Sequence, residues 1–164
     1  HVLQRVSWER DLHFQTRTTI DTLDYSGTDL NEGSKVVVAS AGHIRRKLAE
    51  TIPTGISWPN GISEPRMGMP GVLLLQGIPF EPKENPPHSS PHTSTEPLLQ
   101  KLIAALEGQG SQLQDYPLII VVDDSAFASA KIENWVWATF TRSDPASDLW
   151  GVHAEIRDKH WGCK

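Results

Sequence analysis

The chain has 164 residues, enough for one domain with a core of its own, and its formal net charge of −5 excludes the broad basic face that a nucleic-acid partner requires. Hydrophobic residues make up 38%, with 12 Gly and 12 Pro, which describes a compact domain with long loops. No apolar stretch approaches the ~20 residues needed to cross a bilayer, and a lone cysteine, Cys163, excludes an intrachain disulfide and fits a reducing, cytoplasmic compartment.

In chain order, LHFQTRTTIDTLDY (12–25) is rich in Thr, Phe, Ile and Leu with partial alternation and predicts a strand. TLDYSGTDLNEGS reads as a loop bracketed by Gly27 and Gly33. KVVVAS (35–40) is a β-branched run of the kind buried in a sheet, and AGHIRRKLAETIP after it predicts a helix over 44–50 that Pro53 stops. The basic cluster Arg45-Arg46-Lys47 then falls on a solvated helix face. PTGISWPNGISEPRMGMPG (53–71) carries too many Pro and Gly for regular structure.

VLLLQG (72–77) is a continuous apolar run and predicts a buried strand. Residues 82–95 form a Pro/His-rich segment expected to be an exposed loop. Thr95 is a candidate N-cap for a helix with Pro97 in its first turn. Leu98, Leu99, Leu102, Ile103 and Leu106 form one apolar stripe of that helix, and Gly108 and Gly110 end it. YPLIIVVDD is the clearest strand, 131–141 a tryptophan-rich helix, Asp144-Pro145 a turn, and DLWGVHAEI a last strand. Strands alternating with helices predict an α/β fold, a mixed β-sheet flanked by helices, with an α+β assignment of the same layout as the alternative. The start lacks a Met and the plan of a signal peptide, and DKHWGCK carries no stop signal, so 1–164 reads as a single domain cut from a longer chain.

Asp123-Asp124 ends a buried strand, where ligands gather in open α/β sheets. Two carboxylates there could hold Mg²⁺; the better reading has them accept from backbone N–H groups of 125–129 or pair with Arg142. Ala39–His43 could face an anion with its backbone N–H groups, but one glycine falls short of a phosphate-binding fingerprint and a tight turn fits better. His153, His160 and Cys163 lack the close pairing of a zinc site. No G-x-S-x-G elbow and no spaced carboxylate pair announces catalysis. Trp135 and Trp137 are about 200° apart on one helix, so if one enters the core the other points away and could anchor a neighbour.

VVDDS followed by WVWATFTRSDPASD resembles the C-terminal domain of the UbiD family of decarboxylases, the 3-polyprenyl-4-hydroxybenzoate carboxy-lyase-like enzymes that use prenylated flavin mononucleotide. The matching positions are Asp123, Asp124, Trp137, Ala138, Thr141, Arg142, Asp144, Pro145, Ala146 and Asp148. The resemblance is strongest over 117–148; over 12–80, through LDYSG, KVVVAS and MPGVLLLQG, the chain is similar to a longer branch, and 82–95 carries none. One departure is Ser125 where a third Asp is common, which favours Asp123 and Asp124 as loop-organising acceptors.

The resemblance implies an upstream domain that holds prenylated FMN with a divalent metal and potassium and supplies the catalytic Arg and Glu residues. This chain should then carry no catalytic, cofactor-binding or metal residue, and its motif positions are structural. Arg142 is expected to pair with Asp144, Asp148 or Asp123, and Trp137 to anchor an interface. The implied parent is a non-oxidative decarboxylase of aromatic or unsaturated carboxylic acids, whose C-terminal domain closes over substrate and mediates dimerisation and is inactive alone. Its expected partners are its own upstream flavin domain and further copies of itself. Two rivals are a stand-alone association module for a separate catalytic subunit and a small nucleotide-binding α/β domain using the Ala39–His43 turn.

Overall fold

The computed structural model describes residues 1–21, 26–27, 31–79 and 96–164. Its centre is the strand Val72–Gln76. A single-turn helix, α1 (Val2–Arg5), opens the chain, and the strands β1 (Leu12–Thr19) and β2 (Glu32–Val38) pair antiparallel from Leu12↔Val38 to Thr19↔Glu32. A register shift between Gln15 and Thr18 coincides with a positive φ at Arg17, the mark of a bulge. This ribbon is a sheet of its own. The second sheet has the order β3 (Ser63–Met69), β4 (Val72–Gln76), β5 (Leu118–Val122), antiparallel then parallel. It is the expected mixed sheet.

A parallel pair needs a crossover, and the chain between β4 and β5 carries α2 (Glu96–Glu107) and α3 (Gly110–Leu113). Val72, Leu73, Leu74 and Leu75 are all fully buried because β4 is covered on both faces. Leu73 and Leu75 pack with Leu98, Leu102, Leu106, Leu113 and Tyr116 on one face. Val72 and Leu74 pack with Ile120, Ala128 and Trp135 on the other, under α4 (Ser125–Ala130) and α5 (Ile132–Thr141). The period-2 alternation of a strand thus divides one apolar run between two cores. After α6 (Pro145–Asp148), a third sheet pairs β6 (Glu155–Arg157) with β7 (His160–Gly162). Among the described residues no helix is long and apolar enough to cross a membrane.

Four local expectations are corrected. The run at 35–40 ends its strand at Val38 and lies in the ribbon rather than a covered sheet, so Val37 and Val38 are exposed. The helix expected over 44–50 does not form. Its amides bond elsewhere: Arg45 N and Arg46 N donate to Gln4 O, and Ala49 N donates to Asp115 O. Arg46 Nη1 also donates to Leu3 O at 2.7 Å, and Leu48 packs on Gly71, where an added Cβ would come within 2.7 Å of the leucine. Long-range partners override helix propensity, which is worth only a few tenths of a kcal/mol per residue, on the order of ~0.5.

Within 53–71 the strand β3 does form. It is an edge strand, and Pro65 falls in the register shift between Ser63 and Arg66, where no ladder amide is needed. The last expected strand, 148–156, is helical or irregular up to Ala154, and only its end joins the β6–β7 hairpin. Gly151 meets Cys163 so closely there that a Cβ would lie 2.4 Å from the Cys163 Cβ. The Thr95 cap, the 82–95 loop and most of LDYSG lie outside the described residues.

Candidate functional site

The Thr-Arg-Ser-Asp-Pro stretch joins the end of α5 to α6. Thr141 Oγ1 donates to Trp137 O at 2.6 Å and Ser143 Oγ to Thr139 O at 2.5 Å, so two hydroxyls satisfy carbonyls in the last turns of α5. Asp144 occupies the N-cap position of α6 with extended backbone, and Pro145 stands at the first helical position, where its missing N–H costs nothing. The carbonyl of Asp144 accepts from Ser147 N and Asp148 N, and its own N–H donates to Asp148 Oδ2 at 2.7 Å, closing the turn on itself.

The Asp144 side chain does not cap α6. It accepts from Ser34 Oγ, on β2, and Ser34 Oγ in turn accepts from Ala146 N at 2.7 Å. Ser34 therefore takes the place of the capping side chain from a strand 112 residues away. Both side chains are buried, Ser34 at 8% exposure and Asp144 at 4%. A buried hydrogen-bonded pair of this kind fixes two elements relative to each other, here the β1–β2 ribbon and the α5–α6 corner. Beside it opens a cleft of about 230 Å³ bounded by Ile20, Lys35, Val36, Phe140, Ser143 and Pro145.

The Asp pair has a different task. Asp124 N-caps α4, its Oδ1 accepting from Phe127 N at 2.8 Å, while Asp123 is exposed at the end of β5. This is the loop-organising role expected for the pair, carried by Asp124. Ser125, the departure from a third Asp, is fully buried, and its N and Oγ donate to Gln76 Oε1 at 3.3 and 3.5 Å. A carboxylate there would meet that carbonyl oxygen with no donor of its own, so the hydroxyl is the residue type the site can hold.

Arg142 is a correction. Its guanidinium lies 4.4 Å from the centroid of the Trp137 ring, and among the described residues it makes no ion pair with Asp123, Asp144 or Asp148. Trp135 is buried at 5% exposure and Trp137 stands out from the fold, as their spacing requires.

The remaining candidates do not converge. His153, His160 and Cys163 border one small cavity of about 50 Å³ with Glu9, yet among the described residues no group of three or more His, Cys, Asp or Glu is placed to hold a metal ion. His153 Nδ1 sits 3.7 Å from Glu107 Oε1, and burial, with a contribution from Glu9, pushes the Cys163 thiol up to about 11, which keeps it an inert thiol. The Ala39–His43 turn leads into irregular chain rather than a helix, and Gly42 turns its carbonyl to Arg5 Nε at 3.1 Å. The anion site of the nucleotide-binding rival is therefore missing its helix N-terminus. Near the start, the Asp11 carboxyl is held below the usual carboxylate range, first by the Ser7 N–H at 2.8 Å and then by Arg10. Ser34 and Gln76 were not legible as site residues, because each acts through a partner distant in sequence.

Residues 1–40, spanning α1, β1 and β2 with Ser34, match the 3-octaprenyl-4-hydroxybenzoate carboxy-lyase C-terminal domain. The 117–148 window, where the motif resemblance is strongest, lies outside that stretch. A relative in Chlamydia trachomatis is 35% identical over 148 residues, 90% of this chain and 22% of the relative. One in Chlamydia muridarum is 33% identical over the same shares of the two chains. A protein of Chlamydia pneumoniae, named as a subunit of 4-hydroxybenzoate decarboxylase, is 29% identical over 155 residues, 94% of this chain and 23% of its own length. The chain thus spans about a fifth of the length of the curated relatives it matches. No solved structure matches it.

Proposed function

We propose that this chain, a UbiD C-terminal-like domain, is the substrate-capping and oligomerisation domain of a non-oxidative decarboxylase of aromatic or unsaturated carboxylic acids. The observation that carries the reading is the family match over residues 1–40, supported by kinship to a protein named as a decarboxylase subunit. In this reading the β1–β2 ribbon and the α5–α6 corner, pinned by Ser34 and Asp144, move as one rigid cap over an active site built by an upstream domain. A single buried thiol is in keeping with a cytoplasmic enzyme.

The described residues do not fit prenylated FMN or its metal. Asp124 is engaged as a helix cap, and the cleft beside Ser34, about 230 Å³, is below the ~300–1,000 Å³ usual for pockets that enclose ligands of that size. The cofactor, the divalent metal and potassium are assigned to the upstream domain, and no chemical step is assigned to this chain.

The test is CO₂ release from 4-hydroxybenzoate by three proteins supplied with prenylated FMN: the full-length polypeptide, the same polypeptide lacking this chain, and this chain alone. Only the full-length protein should turn over. Turnover by the chain alone, or full activity without it, would refute the reading. A second reading, an association module for a separate catalytic subunit, draws on the word "subunit" in the name of the Chlamydia pneumoniae relative. The native mass separates them: near 18.2 kDa for a free module, several-fold above it for a domain.

A further inference from the structure

The outer half of α5 is apolar. Of the residues it turns to solvent, Ile132 is 50% exposed, Val136 37%, Trp137 49% and Phe140 66%, with Glu133 and Thr141 the polar ones among them. Ile132, Val136 and Phe140 recur every four residues and form one ridge. Trp135, about 100° around the axis from Val136, already fills the core against Val72 and Leu74. A helix apolar toward core and solvent alike belongs inside a larger body. The ridge runs at Phe140 into the cleft beside Ser34, so motif, cleft and ridge form one continuous surface.

We propose that this surface is the seat on which the upstream part of the same polypeptide docks, a partner that presents apolar side chains with a carboxylate at their edge. The inference rests on the reading above and goes beyond it by naming the face, its anchors and its occupant. Side chains of these sizes, about half exposed, offer on the order of 400 Å² of apolar area. A tethered partner can be held by so small a patch, because the linker supplies an effective concentration in the roughly millimolar range. About four-fifths of each long relative lies beyond the matched region, ample to supply the partner.

Charge argues for an acidic edge. On a chain of net charge −5 the border of this surface carries three cations, Lys35, Lys131 and Arg142, beside the carboxylates of Asp21 and Glu133, and none of the three cations pairs with a carboxylate among the described residues. Arg142 is held over Trp137, at the side of the ridge, with its guanidinium edge open to a carboxylate.

The experiment is site-specific photo-cross-linking in the full-length polypeptide, with Phe140 replaced by p-benzoylphenylalanine and, as control, Ile156, which is 75% exposed on β6. A mixture of isotopically heavy and light protein separates links within a chain from links between chains. Position 140 should link to upstream residues of its own chain, well above the control. Adding Val136→Asp, an exposed change that leaves the circular dichroism intact, should lower that yield roughly tenfold. Links between copies, links no more frequent than at position 156, or a yield indifferent to Val136→Asp would each overturn the proposal. CO₂ release measured on the same preparation keeps the two ideas apart. Activity without the cross-link removes the docking face, and the cross-link without activity removes the decarboxylase reading and leaves the face standing.

Discussion

The β4 layer and the β1–β2 ribbon are held by opposite means. Around β4, four consecutive side chains are wholly buried and two apolar clusters meet across one strand. The ribbon exposes Val37 and Val38 and is tied to the α5–α6 corner by a serine and an aspartate. The first region is stable because of the area it hides, a non-directional force that tolerates rearrangement. The second is positioned by directional bonds that accept one geometry. The fold thus combines a core that stays put with a joint that sets an angle.

The largest effect should come from the core. Leu74→Ala removes a fully buried side chain between β4 and Trp135 and should cost about 2–5 kcal/mol in urea unfolding. A cost under about 1 kcal/mol would mean that this face of the sheet is not packed as described. Asp144→Ala should come next. It leaves the buried Ser34 hydroxyl without its acceptor and should cost about 1–3 kcal/mol. Ser34→Ala should cost about 1–3 kcal/mol, because it removes both the cap on Ala146 N and the hydroxyl donor to the buried Asp144 carboxylate. Because the two residues share one network, the double variant should cost less than the sum of the two; simple additivity would dissolve the joint.

These two regions also differ in how far the sequence disclosed them. β4, β5 and α2 were legible because burial on both faces of a strand, or one stripe of a helix, writes itself as a local run: VLLLQ, LIIVV, and the leucines of 98–106. The Asp-Pro corner was legible as a turn, and Asp124 as a loop acceptor, since caps act within three residues. The segment 44–50 misled because its good helix formers answer to Gln4 and Asp115, which no local pattern reveals. Arg142 misled for a related reason: Asp144 and Asp148 close by in sequence suggested an ion pair, yet the face it meets, five residues back, is an indole. Ser34 could not be found at all, because a serine at the end of what reads as a loop carries no mark that it lies in a strand or has a partner 112 residues ahead.

A smaller test touches the ribbon's other end. The Asp11 pKa is lowered in the folded state by the Ser7 N–H and Arg10. Its stabilisation is therefore present above the unfolded value, near ~3.9, and is lost as pH falls through the lower folded value. Asp11→Asn should lower stability most in the neutral range, where the carboxylate's contribution is fully present, and so flatten the loss of stability below about pH 4. An unchanged acid limb of the stability curve would show that the ribbon's anchorage does not depend on this carboxylate.

The smallest effect should be that of Arg142→Ala, and it bears most directly on the contrast between core and joint. Were Arg142 paired with the Asp144 or Asp148 carboxylate, its removal would strike the buried network and rank with Asp144→Ala. Stacked on an exposed Trp137, it contributes about 0.5–1 kcal/mol at most, with little dependence on salt for so short a contact. Thermal unfolding of Arg142→Ala beside Trp137→Ala decides the matter. Equal small losses that do not add mark the stacked pair. A loss as large as that of Asp144→Ala would put the guanidinium in the joint and return the ion pair to the corner.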